Sequence, residues 1–108
     1  MKIIITFLAA AAAATLAAGA HAADAKASEA LAAASGCLAC HTVDKKLVGP
    51  GFKEIADRYR KDKSAETNLM QKVKVGGKGE WGDIPMPPNG HVKDADTKTL
   101  VQWILSTK

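Results

Sequence analysis

The sequence predicts an all-α fold of about four helices. Four segments have either a helix-forming composition or apolar residues at the helical spacing i, i+3, i+4, i+7. No segment alternates apolar and polar residues, as a half-buried strand would. With 108 residues the chain is long enough for one small domain, so we expect these helices to share a single core.

Residues 1–22 are predicted to be a secretory signal peptide, which leaves residues 23–108 as the folded domain. A short basic start precedes an uncharged apolar run from Ile3 to Ala18, and Ala20-His21-Ala22 fits a small-x-small cleavage site. The run is shorter than the roughly 20 residues that span a bilayer, so a retained membrane anchor is the less favoured alternative. We expect a mature form that does not span the membrane and that lies in the bacterial periplasm.

The first predicted helix covers Ala25–Ser35, because alanine dominates this segment, and Asp24 is its expected N-cap. Gly36 then breaks the helix. Residues 47–51 contain glycine and proline and are predicted to form a turn. The second helix is predicted over Phe52–Arg60, where apolar residues share one helical face.

The third helix is predicted over Ala65–Val75, with Ser64 as its N-cap. Residues 76–92 are rich in glycine and proline and have no periodicity, so we expect a long ordered loop. Loops of this length usually have a functional reason. The fourth helix is predicted over Ala95–Ser106, with Asp94 as its N-cap.

The motif Cys37-Leu38-Ala39-Cys40-His41 is the most informative feature of the chain. Two cysteines separated by two residues and followed by histidine are the attachment signature of a c-type haem. Cys37 and Cys40 would each add to one vinyl group of the porphyrin, and His41 would be the proximal ligand of the iron. A buried porphyrin would also supply apolar mass that a chain of this size lacks.

Two alternatives for these cysteines remain open at this point. A thioredoxin-like redox pair would need a strand before the motif, whereas an alanine-rich helical segment precedes it. A zinc site usually needs four ligands from two paired clusters, and this chain has two cysteines in total. The histidine after the second cysteine favours haem over both alternatives.

The sixth position of the iron has three candidate ligands, Met86, Met70 and His91. Prolines on both sides of Met86 fix the backbone and remove its donors, which suits a rigid loop that presents one thioether. Met70 falls on the apolar face of the third helix, where core packing is the simpler interpretation. His91 lies in a polar segment and is predicted to be solvated. We therefore favour Met86.

These motifs together resemble those of class I cytochromes c, and within that family the small bacterial cytochrome c-551 group. The resemblance rests on the haem motif, Val48-Gly49-Pro50, Trp81-Gly82, the proline-framed segment 84–89 and a C-terminal helix with Trp103. It implies a small cytochrome c fold around one covalent haem c. Cys37 and Cys40 would form the thioethers.

The resemblance also implies a role for each residue around the iron. His41 and Met86 would be the axial ligands, and the Pro50 carbonyl would accept the Nδ1 proton of His41. Trp81 would donate its indole N–H to a haem propionate, and Asn89 would hydrogen-bond near the Met86 sulfur.

Two residues depart from the family pattern. Lys72 stands where relatives tend to have an arginine near a propionate. A lysine can pair with that carboxylate but cannot form the bidentate fork. Asp83 replaces a proline before Ile84 and adds a charge near the haem edge.

The implied function is a soluble monohaem electron carrier rather than an enzyme, and a monomer is expected. Its partners would be redox proteins such as nitrite reductase, a terminal oxidase or a cytochrome bc-type complex. The alternatives are a haem enzyme or gas sensor in which Met86 leaves the iron, and a domain of a larger redox complex. Five lysines could form a positive docking surface, here called the lysine rim, although they could equally be a solvated face. They are Lys45, Lys46, Lys72, Lys74 and Lys78.

Charge gives no indication of nucleic-acid binding. The chain carries 15 Lys and Arg against 11 Asp and Glu, a formal net charge of +4, and loss of residues 1–22 would remove one cation, Lys2. It has no arginine-rich stripe, and aromatic residues make up 5% of it.

Overall fold

The structure is a computed structural model that describes residues 18–108; residues 1–17, which hold most of the predicted signal peptide, lie outside the described residues. Between residues 18 and 108 the chain forms four α-helices and one 3₁₀ turn. In chain order these are α1 (Ala18–Ala34), the 3₁₀ turn (Cys37–Ala39), α2 (Phe52–Tyr59), α3 (Ala65–Val75) and α4 (Asp94–Ser106). This part of the chain contains isolated bridges but no strand, so the all-α prediction is confirmed.

Helix α1 begins at Ala18, well before the predicted start at Ala25. Asp24 lies inside the helix and is therefore not its N-cap, which corrects the prediction. Alanine has the highest helix propensity, and it dominates this segment on both sides of Asp24, so helical structure continues past the aspartate. The predicted cleavage after Ala22 would fall within α1, and the signal peptide stays a prediction.

The bounds of α2 and α3 agree closely with the sequence. Helix α2 ends one residue before the predicted Arg60, and α3 has the predicted bounds. Ser64 occupies the N-cap position of α3, but its side chain makes no capping hydrogen bond. Instead its backbone N–H donates to Asp62 Oδ1 at 2.8 Å. Gly76 ends α3 with φ 68°, the left-handed region that favours glycine.

Helix α4 begins at Asp94 itself, which corrects the predicted role of this residue as N-cap. Lys93 occupies the N-cap position and makes no side-chain capping bond. The Asp94 carboxylate lies 2.8 Å from Lys74 Nζ on α3. An acidic residue in the first turn is also favoured by the helix dipole.

Helix α4 packs against the other three helices. The core cluster contains Ala32, Val92 and Leu100, with Trp103 packed against it. The apolar face of α2 is buried, and Phe52 is 2% exposed. The buried faces of α2 and α4 form the floor of a cavity among the helices.

Candidate haem site

A cavity of about 450 Å³ lies among the helices and is walled in part by the loop before α4. Its volume is within the range of cavities that bind small molecules and cofactors. Its lining includes both motif cysteines, His41 and Met86, so the structure brings the predicted thioether and ligand residues to one site. The apolar residues of the lining include Phe52, Ile55, Leu69, Val73, Leu100, Val101 and Ile104.

His41 is held on two sides. Its Nδ1 lies 2.7 Å from the carbonyl oxygen of Pro50, as predicted for this pair. Its ring stacks on Phe52, with 5.3 Å between centroids and an interplanar angle of 23°. An Nδ1–H that donates to Pro50 leaves the lone pair on Nε2, which is the form that binds a metal ion.

Gly49 allows this arrangement, a steric role that was not predicted when Gly49 was identified as a turn residue and as part of the Val48-Gly49-Pro50 motif. A Cβ at Gly49 would lie 2.6 Å from Cε1 and 3.0 Å from Nδ1 of His41. The Gly49 N–H donates to the Cys40 carbonyl at 2.8 Å, which fixes the backbone of the turn against the haem motif. The His41 imidazole therefore packs directly against the backbone of Gly49, where no side chain intervenes.

Cys37 is the first residue of the 3₁₀ turn and Cys40 follows its last, and both are half-buried in the cavity wall. Burial raises the pKa of the Cys37 thiol, whereas the reactive cysteines of redox enzymes have lowered pKa values. Helix α1 rather than a strand precedes the motif. Among the described residues no group of three or more His, Cys, Asp and Glu side chains could hold a metal ion. Both alternatives to haem lose support.

Met86 is fixed by backbone pairing with the end of α3. Its N–H donates to the Gly77 carbonyl at 2.8 Å, and its own carbonyl accepts the Gly77 N–H at 3.0 Å. A Cβ at Gly76 would clash with the Met86 carbonyl oxygen. Met70 is half-buried but lies in a separate depression beside Lys74 and does not line the cavity.

Asn89 and His91 lie beyond the lining of the cavity. The Asn89 side chain donates from Nδ2 to the Pro87 carbonyl at 3.0 Å, so it braces the proline-rich loop. Its predicted bond near the Met86 sulfur stays a prediction. His91 is exposed, as expected, and its Nε2 lies 3.1 Å from the carbonyl oxygen of Ser35.

Trp81 and Lys72 line the cavity, but each also contacts a residue that the sequence did not single out. Lys72 Nζ lies 2.9 Å from Glu80 Oε2. The Arg58 guanidinium carbon lies 4.5 Å from the centre of a Trp81 ring. The hydrogen bond from Lys72 holds the pKa of the Glu80 carboxyl below its ordinary value.

The lysine rim is only partly at the cavity. Lys46, Lys72 and Lys78 line it. Lys74 faces elsewhere, since it pairs with Asp94 and donates to the carbonyl of Val92. Lys74 therefore adds no free charge at the cavity.

The residues present fit a covalent haem c. Two half-buried thiols on one turn can form thioethers, and a neutral imidazole with Nε2 available can bind iron. A thioether from a rigid loop is a soft donor that can also bind iron, and the apolar lining suits a porphyrin.

Comparison with known proteins gives the same answer. Residues 25–108 match the Cytochrome c family. Cytochrome c-551 of Allochromatium vinosum is 53% identical over 75 residues, which cover 69% of this chain and 80% of that protein. Cytochrome c-551 of Pseudomonas aeruginosa is 48% identical over 73 residues, 68% of this chain and 69% of that protein. The crystal structure of Nitrosomonas europaea cytochrome c552 superposes with a TM-score of 0.72 at 50% identity, covering 74% of this chain and 99% of that one.

Proposed function

The chain belongs to the cytochrome c family as a monohaem electron-transfer protein of the c-551 group, and on that premise we propose that it is a periplasmic one-electron carrier whose iron is bound by His41 and Met86. The observation that carries this proposal is the convergence of the haem motif and the proline-framed methionine on one apolar cavity. When bound, the haem supplies one-electron exchange between Fe(III) and Fe(II).

His41 is suited to be one axial ligand because Pro50 fixes both its tautomer and its ring angle. The 2.7 Å bond from Nδ1 to the Pro50 carbonyl orients the ring, and the stacked Phe52 ring prevents its rotation. Such a partner on the second nitrogen also raises the basicity of the ligating one.

Met86 is suited to be the other axial ligand because its backbone is paired with Gly77 and the residue lines the cavity. Met70, the rival thioether, does not line it. If His41 and Met86 both held the iron, no coordination site would remain on it for a substrate. A carrier role follows, and an enzymatic one would require Met86 to leave.

The apolar lining keeps water away from the haem site, as an electron carrier requires. Phe52, Leu100 and Val101, each 2% exposed or less, exclude water from the floor of the cavity. A dry site with fixed ligands changes little between oxidation states, which favours fast electron exchange. Val48 and Ile84 also line the cavity and are 43% and 63% exposed, so apolar surface reaches the mouth.

Localisation and partners complete the proposal. Residues 1–22 would direct export to the periplasm and then be removed. In the described part of the chain, no helix is long and apolar enough to cross a membrane. The partners would be redox proteins such as nitrite reductase, a terminal oxidase or a cytochrome bc-type complex, met by a monomer through small, short-lived contacts.

Titration of the purified holoprotein tests this function. We expect one reversible one-electron wave and a reduced low-spin spectrum that carbon monoxide does not change. A spectrum that changes at once with carbon monoxide would show an open iron, and the enzyme or gas-sensor alternative would replace the carrier.

A further inference from the structure

Three charged side chains, Arg58, Lys72 and Glu80, form a connected group at the edge of the cavity. Lys72 Nζ lies 2.9 Å from one carboxylate oxygen of Glu80 and 3.0 Å from the other. Arg58 Nη1 donates to the backbone carbonyl of the same glutamate at 2.6 Å. Glu80 is therefore held by a cation from α3 and by another from α2.

Arg58 links this group to Trp81. Its guanidinium carbon lies 4.5 Å from the centre of a Trp81 ring and 5.6 Å from the centre of the Tyr59 ring. The Tyr59 and Trp81 rings meet edge to face, with 6.5 Å between centroids. Both distances are those of cation–π contacts, which arginine makes more often than lysine and which its planar guanidinium can strengthen by stacking.

These contacts join a segment that has little regular structure of its own. Residues 78–85 include no helix and no bridge. Within this segment the Gly79 N–H donates to the Gly82 carbonyl at 2.9 Å, which closes a tight loop. One exposed ion pair contributes little. Here an ion pair, a backbone hydrogen bond and a cation–π contact act on two adjacent residues, so together they can fix the segment.

We propose that Arg58 and Lys72 hold Glu80 in a clamp that positions Trp81 in the cavity wall, and that the Glu80 carboxylate sets the net charge at this edge of the haem site. The inference rests on the proposed function, because the charge acts on the potential of a bound haem. Lys72, Glu80 and Trp81 all line the cavity. Glu80 engages the ammonium group of Lys72, so it competes with any haem carboxylate for that cation.

The reduction potential of the holoprotein tests the charge. Glu80→Gln removes one negative charge and releases Lys72, so it should favour Fe(II) and raise the potential. Lys72→Gln should lower it. Each shift should change the equilibrium constant against a reference couple roughly two- to tenfold, the scale of one unit charge acting through the high effective dielectric of a protein edge. Asp57→Asn is the matched control, because Asp57 pairs with Arg60 at 2.7 Å and does not line the cavity.

Hydrogen exchange in the same holoprotein tests the positioning. Glu80→Gln and Arg58→Ala should speed exchange at the Gly79 amide at least about threefold and shift the Trp81 indole resonance. Arg58→Lys keeps the charge but loses the planar stack, so it should give an intermediate result. Asp57→Asn should change neither signal.

The clamp is refuted if Glu80→Gln shifts the potential no more than Asp57→Asn does, or if Gly79 exchange is unchanged in both clamp variants. Failure of the proposed function would look different, since the wild-type protein would then show no reversible one-electron wave. The exchange comparison would decide the clamp in that case too, because it requires no electron transfer.

Discussion

A methyl group at Gly49 should disturb the packing around His41, because it would meet the imidazole ring. The added Cβ would lie 2.6 Å from His41 Cε1, and 3.4 Å is the start of ordinary contact. The imidazole would have to retreat by about 0.8 Å, the difference between these distances. Movement is restricted by the Phe52 ring on one side and by the 2.7 Å hydrogen bond to Pro50 on the other.

The cost follows from these contacts. Overpacking a filled site costs about 1 to 3 kcal/mol, and a lost hydrogen bond adds about 1 kcal/mol. Gly49→Ala should therefore lower the free energy of unfolding by about 2 to 4 kcal/mol. In a domain of this size that lowers the Tm by roughly 10 °C or more.

Denaturant and thermal unfolding of the holoprotein would measure this loss, and NMR would follow the His41 Nδ1 proton. Gly90→Ala is the matched control, since a Cβ there meets nothing within 4 Å and the residue lies outside the positive-φ region. It should change stability by less than about 1 kcal/mol. Equal unfolding midpoints for the two variants, with an unshifted His41 proton, would refute the steric argument.

Three further predictions concern the cofactor, pH and partner association. Cys37→Ala or Cys40→Ala should leave one thioether and lower the yield of holoprotein, as haem-stained denaturing gels would show; an unchanged yield with haem extractable into acidified butanone would contradict covalent attachment. The hydrogen bond from Lys74 lowers the pKa of Asp94, so its stabilising contribution exists above the unfolded pKa of about 3.9 and is lost as the pH falls through the folded value. Asp94→Asn should make the free energy of unfolding fall less steeply as the pH drops below about 4. An unchanged pH dependence would argue against the Lys74–Asp94 ion pair. Electron transfer to an acidic redox partner should slow as salt rises, because exposed charges are screened beyond about 8 to 10 Å, and Lys46→Glu should slow it at low salt; a rate independent of salt would indicate apolar docking.

The sequence predicted the fold well wherever the signal was local. Helix α3 ends at Gly76 because the backbone there needs φ 68°, and a glycine after an apolar run indicates this directly. The haem motif and the proline-framed Met86 were likewise readable from short segments. The Pro50 carbonyl meets His41 as the family resemblance implied.

Most of what the sequence did not predict depends on tertiary contacts; the exception is Asp24, which lies inside α1 because alanine on both sides continues the helix. Asp94 is not a cap, and its carboxylate pairs instead with Lys74 on another helix. Arg58 reaches a residue 22 positions away in the chain, and no local pattern indicates such a contact. The steric role of Gly49 could not be predicted from the sequence, because its contact with the His41 ring forms only when the turn between them has folded.

Ligation by Met86 is the central claim, and absorption spectroscopy of two methionine variants tests it most directly. Met86→Ala should abolish the weak sulfur-to-iron charge-transfer band of the oxidised holoprotein, lower the potential and open the iron to carbon monoxide or cyanide. Met70→Ala should keep the band and lose stability instead, by about 1 to 2 kcal/mol, less than at a fully buried site because Met70 is half-buried outside the cavity. Retention of the band in Met86→Ala with its loss in Met70→Ala would contradict the account.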